Sequence, residues 1–151
     1  PTGSAMSHIR QPIRYALKDL LTGLSITGNN VFVNRVDPIE KGTVPALTIR
    51  TGADVKEKNL TLAKPALVQR QVDVFVTPYA TGADVDDQLD DICVQVEKAI
   101  ATDWTLSGLV KTIEFMESDD VFERSEKLKG VNEMGFRCTY LIYENDPETA
   151  Q

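Results

Sequence analysis

The sequence predicts a single α+β domain: a mixed, mostly antiparallel sheet of about five strands with two long helices on one face. Two adjacent patterns support this prediction. Valines alternate with mostly polar residues over 68–76, typical of a half-buried strand, and Arg70 is the polar exception on the apolar face. Apolar residues then recur at helical spacing over 85–100. A strand followed by a helix that packs back on the sheet is therefore the expected framework.

A second apolar stripe, over 9–24, predicts the first helix. Its regular turns are expected to begin near Arg10 or Gln11, because proline is tolerated only in the first turn and Pro12 follows directly. Short strands are predicted at 31–36, 44–50, 109–116 and 131–143. The element order is then α-β-β-β-α-β-β. Both faces of the last strand are apolar near its end, which indicates a central position or a face covered by another subunit.

One side of the first helix carries positive charge at Arg10, Arg14 and Lys18. We expect these side chains to form a solvated face, and a subunit contact is the alternative. The residues 1–5 resemble a cloning remnant, so the natural chain is expected to start at Met6. Residues 147–151 are polar and are expected to be a flexible tail, which leaves 6–146 as the domain.

The composition narrows the class of function. The chain has 151 residues and a formal net charge of −7, which argues against sequence-specific nucleic-acid binding because that needs a basic face. The sequence has no apolar run of the length that a membrane span requires. Cys93 and Cys138 are too few for a disulfide framework and are expected to be reduced core residues of an intracellular protein.

Two segments are expected to project from the domain. The longer, 51–67, shows no persistent period and is interpreted as an arm or loose hairpin. Its apolar residues Val55, Leu60 and Leu62 are then expected to be buried only against a partner, although a connection folded back on the core remains open. The second segment, 117–130, is charged and is interpreted as a hairpin tip.

Residues that could carry chemistry are few. His8 is the only histidine, and no phosphate-binding, dinucleotide-binding or nucleophile-elbow motif is present. The densest carboxylate group follows the central strand, where Asp84, Asp87 and Asp91 could hold a hard divalent cation. Acidic residues in the first turns of a helix more often complement its dipole. We therefore predict no catalytic residue, no metal site and no cofactor.

Several stretches taken together resemble the tail terminator proteins of long-tailed bacteriophages and related prophages. The resemblance covers residues 8–146, and its specificity lies in the order and spacing of the pieces. The pieces are Ile9-Arg10 with Ile13-Arg14, Gly28-Asn29-Asn30-Val31-Phe32 with Arg35-Val36, Val44-Pro45-Ala46-Leu47-Thr48-Ile49, the strand 68–76, the acidic helix start 84–90, Val96-Glu97-Lys98-Ala99-Ile100, Leu106-Ser107-Gly108-Leu109, and the last strand with Glu144-Asn145-Asp146.

This resemblance implies a structural role. Such proteins form a hexameric ring that caps the tail tube, ends its polymerisation and presents a surface to the head–tail connector protein. The implied location is the head-proximal end of the virion tail, assembled in the host bacterial cytoplasm. The implied partners are other copies of the chain, the major tail tube protein and the connector, while DNA passes through without specific binding.

A closed ring of identical subunits needs two different surfaces on each copy. The segments 51–67 and 117–130 are expected to form one surface, and the last strand the other. The candidate residues for subunit or tube contact are Val55, Lys56, Lys58, Leu60, Leu62, Phe122 and Arg124. Asp84, Asp87 and Asp91 are candidates for an acidic surface facing the channel, where like charge would keep DNA from adhering.

Two alternatives remain at the level of sequence. One is a head-closure or neck connector protein of the same virion, which would share the acidity, small size and projecting segments. The other is a small metal-dependent enzyme that uses the cluster Asp84–Asp91, with Asp87 or Asp91 in the central role.

Overall fold

The computed structural model describes residues 7–33, 44–123 and 129–151, except for the side chains of 120–123 and 129. The elements are α1 (Arg10–Leu21), β1 (Val31–Val33), β2 (Ala46–Asn59), β3 (Leu67–Thr81), α2 (Val85–Ile100), β4 (Thr112–Glu123) and β5 (Lys129–Tyr143). The predicted order α-β-β-β-α-β-β and the α+β class are confirmed.

The five strands form one mixed sheet in the order β1-β2-β3-β5-β4. β1 runs parallel to β2, and every other neighbouring pair is antiparallel. β5 lies between β3 and β4, so the prediction that the last strand occupies a central position is confirmed.

Both helices pack on the same face of this sheet and contact each other. The alternation predicted for β3 is confirmed, because its valines on one face are buried and Arg70 lies on that same face. The residues that the helices and the sheet bury together are Ile13, Leu17, Leu21, Leu47, Ile49, Val72, Val74, Val76, Leu89, Ile92, Val96, Ile100, Ile113, Met134, Phe136, Cys138, Tyr140 and Ile142. No helix in the described part of the chain is long and apolar enough to cross a membrane.

Three strands extend clearly further than predicted, and β3 runs to Thr81, past the predicted range 68–76. β2 continues through residues 51–59, which we expected to be a loop or loose hairpin, and β4 continues through 117–123, which we expected to be turn-like. Bulges explain the first error: the register of β2 against β3 shifts between Thr51 and Asp54 and again between Lys56 and Lys58. A bulge shifts the alternation by one residue, so a real strand shows no persistent period in its sequence.

The prediction of a solvated basic face on α1 is wrong for its first two arginines. Arg10 approaches Asp54 of β2 with 3.7 Å between Nε and Oδ2, and Arg14 donates from Nη1 to Thr51 Oγ1 at 3.2 Å. Helical periodicity places these side chains together but does not show that polar groups of β2 lie beneath them. The two arginines therefore attach the start of α1 to the sheet.

The segment after β5 contacts the domain at several points. Ile9 N donates to Pro147 O at 2.9 Å, and Gln151 N donates to Leu141 O at 2.9 Å. Ala150 is partly buried against the core. The predicted flexible tail, 147–151, is therefore hydrogen-bonded to both α1 and β5.

Candidate assembly surfaces

The long β2–β3 hairpin carries five of the candidate contact residues. Val55, Lys56 and Lys58 lie in β2, and all three are exposed. Leu60 and Leu62 lie in the turn, where 42% of Leu60 and all of Leu62 are accessible. The described structure therefore leaves these apolar side chains uncovered, as an arm that packs on a partner would require.

The turn of this hairpin is held in place by polar contacts. Leu60 N donates to Leu67 O at 2.7 Å, and Leu67 N donates to Thr61 Oγ1 at 2.9 Å. These bonds close the turn across the ends of β2 and β3. The exposed leucines are therefore presented by a turn with defined backbone geometry.

Glu144, directly after β5, joins the turn to the rest of the sheet. Its backbone N donates to Ala66 O at 2.9 Å, while its carboxylate accepts from Ala66 N at 3.0 Å. Lys64 Nζ lies 3.0 Å from the same carboxylate. The hydrogen bond from Ala66 N and then the contact with Lys64 lower the pKa of Glu144. The turn is thus bound to β5 as well as to its own strands.

Apolar residues of β3 and β5 extend the hairpin surface. Leu67 lies opposite Tyr143 in the β3–β5 register, and Leu141 lies opposite Gln69. These residues are on the sheet face away from the helices, because Val68 and Ile142 on the other face are buried. The end of β5 and the hairpin therefore belong to one surface. That the hairpin and β5 contribute to two different contact surfaces stays a prediction, although β3 and β5 are adjacent in the sheet.

A buried polar cluster supports the helix-facing side of the same hairpin. The Asp54 side chain is only 4% accessible. It accepts hydrogen bonds from Arg70 at 3.1 Å from Nε and 2.7 Å from Nη2, and from Tyr140 Oη at 2.8 and 2.7 Å. Burial and the hydrogen bond to Asp54 raise the pKa of Tyr140. This cluster was not predicted from the sequence, although Arg70 on an apolar strand face was a signal for it.

His8 borders this cluster at the start of α1. Its Nδ1 accepts from Arg10 N at 3.2 Å, and its Nε2 lies 3.5 Å from Arg70 Nη2. Burial and the charges of Arg10 and Arg70 lower the pKa of His8, although Asp54 opposes the shift. Neutral imidazole is therefore favoured, and it accepts a hydrogen bond from one of the first amides of the helix.

The sheet face away from the helices has an aromatic residue near its centre. Phe75 lies under the guanidinium of Arg50, with 4.2 Å from Cζ to the ring centroid. Gly52 leaves room for the ring, since a Cβ there would lie 2.7 Å from Phe75 Cε2. Beside it, an open depression of about 240 Å³ is lined by residues that include Phe75, Met116 and Gly135. No helix covers this face among the described residues, because both helices pack on the other side of the sheet.

The second predicted projection is described only in part. Phe122 belongs to β4, but its side chain lies outside the described residues, and so does Arg124. The described part of β4 shows other apolar side chains in the open, because Phe115 and Met116 are each nearly half accessible. Sequence reasoning did not single out these two residues, since each has a polar neighbour and the pattern did not mark the strand as a sheet edge.

The acidic candidates lie at the start of α2 and are exposed. Asp84 precedes the helix and accepts from Gln88 Nε2 at 2.8 Å, while Asp87 and Asp91 face solvent. Within the described residues, no three His, Cys, Asp or Glu side chains are grouped so that they could hold a metal ion. The arrangement fits an acidic helix start that complements the helix dipole.

A further depression, of about 330 Å³, lies over the polar cluster and is lined by Asp54, Lys56, Val68, Arg70, Ile142 and Glu144. Three of its charged groups are held in ion pairs, since Arg70 binds Asp54 and Glu144 binds Lys64 of the turn. These side chains therefore support the hairpin. That the protein is not an enzyme stays a prediction.

Comparison with known proteins gives distant structural similarity alone. No family model matches the chain, and no curated protein matches it. Among solved structures, the chain is similar to a chain of the "Virion of native gene transfer agent (GTA) particle", with 14% identity and a TM-score of 0.39 over 93% of this chain and 97% of that chain. A similarity at this level carries no argument about the function of this protein.

Proposed function

We propose that the protein is a structural component of a phage tail that forms a ring of identical copies, hexameric as in the family it resembles, on the end of the tail tube. The observation that carries the proposal is the exposed apolar hairpin. Val55 and Leu62 are more than half accessible although the turn itself is tightly hydrogen-bonded. Exposed apolar side chains on a hairpin of defined geometry fit a protein contact, which would cover them.

The resemblance to tail terminators indicates which partners the protein would contact. In this proposal the ring stops tube polymerisation, binds the major tail tube protein on one side and presents the other side to the head–tail connector protein. The protein is then a virion component at the head-proximal end of the tail, assembled in the bacterial cytoplasm. Nothing in the described chain requires a cofactor for this role.

The acidic start of α2 fits a ring that surrounds DNA. We propose that Asp84, Asp87 and Asp91 face the channel, where their charge repels the phosphate backbone. Replacing all three by Lys should raise the affinity of the assembled protein for duplex DNA and make it strongly salt-dependent. Unchanged DNA binding by the triple variant would contradict this placement.

The function is tested on purified protein and on polymerised tubes of the major tail tube protein from the same genome. We expect light scattering to show a species of six copies, negative-stain images to show rings, and added rings to bind one tube end and stop elongation. A protein that stays monomeric at every concentration and binds no tube end contradicts the proposal.

The connector alternative predicts a different result in the same experiment. Rings that bind the head-side connector complex but leave tube elongation unchanged would favour a neck protein.

The role of the hairpin in assembly is tested with Leu62→Asp, which alters only the fully exposed turn residue. It should keep the monomer folded and weaken the assembled state.

A further inference from the structure

The sheet has two long edges on opposite sides of the domain. β1 pairs with β2 only from Leu47 to Ile49, and among the described residues no strand pairs with β2 beyond that point on this side. β4 forms the opposite edge, because within the described chain its only partner is β5. A sheet edge presents unpaired backbone N–H and C=O groups and is a template for pairing with another chain.

The two edges carry opposite charge. β4 contains five acidic residues and no basic one: Glu114, Glu117, Asp119, Asp120 and Glu123. The outer part of β2, residues 50–59, contains three basic residues, Arg50, Lys56 and Lys58, and two acids, Asp54 and Glu57, so its formal charge is +1. Arg50 pairs with Glu133 and Asp54 pairs with Arg70. Cross-strand pairs of opposite charge stabilise a sheet, and like charges directly opposite destabilise it.

The strand directions also match. β2 and β3, β3 and β5, and β5 and β4 are each antiparallel pairs, so β2 and β4 run in opposite directions. A second copy placed beside the first with its strands aligned therefore brings its β2 antiparallel to the β4 of the first. Exposed apolar residues lie on both edges, Phe115 and Met116 on β4 and Val55 on β2.

We propose that the ring is built edge to edge, with β4 of one copy lying antiparallel along the outer part of β2 in the next copy. This inference rests on the proposed function and names its subunit interface. The contact joins two different surfaces of each chain, as a closed ring requires.

Charge reversal on each edge tests the proposal. An acidic-edge variant carries Glu114→Lys, Glu117→Lys and Asp119→Lys, and a basic-edge variant carries Lys56→Glu and Lys58→Glu. All five side chains are exposed, so both variants should fold with native circular dichroism. Each alone presents like charge on both edges, and we expect the concentration for half-assembly to rise at least about tenfold.

Mixing the two variants distinguishes edge pairing from a general effect of charge. In a mixture, the contacts of an alternating ring are of two kinds. The basic β4 of one variant meets the acidic β2 of the other, and the unchanged acidic β4 of the second variant meets the unchanged basic β2 of the first. Every contact is then complementary, so an even-membered ring closes with alternating copies. We expect equal amounts of the two variants to restore assembly to within about threefold of the native value. A control with Asp86→Lys, Asp90→Lys and Glu97→Lys on the exposed side of α2 has the charge change of the first variant and should assemble like the native protein.

The possible results distinguish a failure of the proposed interface from a failure of the proposed function. Native rings together with full assembly of either edge variant alone overturn edge pairing and leave the ring proposal standing. Folded variants that assemble neither alone nor in the mixture also overturn it, because complementary edges should then have closed the ring. A native protein that forms no ring, free or on tubes, overturns the proposed function and this interface together.

Discussion

Asp54 of β2 and Arg70 of β3 form a two-point ion pair on the helix-facing side of the sheet, with 2.7 Å between Arg70 Nη2 and Asp54 Oδ2. Tyr140 of the neighbouring strand β5 donates to the same carboxylate. The pair and Tyr140 together join β2, β3 and β5, beside the start of α1 where Arg10 approaches Asp54.

Removing the carboxylate should be costly. We expect Asp54→Ala to lower the free energy of unfolding by about 3–5 kcal/mol, because Arg70 and Tyr140 would keep buried polar groups without their partner. Urea denaturation followed by circular dichroism measures the change. Asp73→Ala is the matched control on the other face of β3: its pair with Arg137 is about one-third exposed on both sides, so the loss should be at most about 1 kcal/mol. Equal losses in the two variants would contradict the buried role of Asp54.

Acid should weaken the start of α1 through His8. The folded-state pKa of His8 lies below 6.5, so the unfolded chain binds the proton more readily, and stability is lost as the pH falls from 6.5 through the folded-state pKa. We expect the Tm of the native protein to fall between pH 7.5 and pH 5 by more than that of His8→Asn, which retains an acceptor but does not titrate. Parallel Tm curves for the two proteins would show that His8 makes no contribution.

Close packing between α2 and β5 should make Gly130 intolerant of a side chain. A Cβ there would lie 2.5 Å from Val85 Cγ2 and 2.9 Å from Leu89 Cδ1. We expect Gly130→Ala to lower the free energy of unfolding by about 1–3 kcal/mol through overpacking. Gly135→Ala is the control on the opposite face of β5, where the nearest atom is 3.4 Å away, and it should change stability by less than about 0.5 kcal/mol. The same urea titration compares them, and a neutral Gly130→Ala would mean that α2 shifts freely.

The turn leucines should matter for assembly and not for folding. We expect Leu60→Asp with Leu62→Asp to change the free energy of unfolding by less than about 1 kcal/mol, because neither side chain is part of the buried core. Light scattering should show weakened assembly of the same double variant. Loss of native circular dichroism would instead mean that these leucines support the fold.

Much of the fold could be predicted from local patterns in the sequence. Valines alternating through β3 and the apolar stripe of α2 are short-range signals, so strand, helix and buried face could all be predicted from them. The lengths of β2 and β4 could not, because bulges at Thr51–Asp54 and Phe115–Glu117 reset the alternation. The partner of Arg70 also could not be predicted, since Asp54 lies beyond a bulge in a segment that shows no periodic pattern.

The sequence by itself determined the order of the elements, the face of each that is buried and the acidic character of α2, because these depend on residues near one another in the chain. Only the tertiary structure decided which strands became neighbours. It placed Leu67 beside Tyr143, brought Asp54 to Tyr140, and put the acidic strand β4 at the edge of the sheet opposite β1 and β2. The physical reason is that strand order is set by long-range pairing, whereas periodicity reports only local geometry.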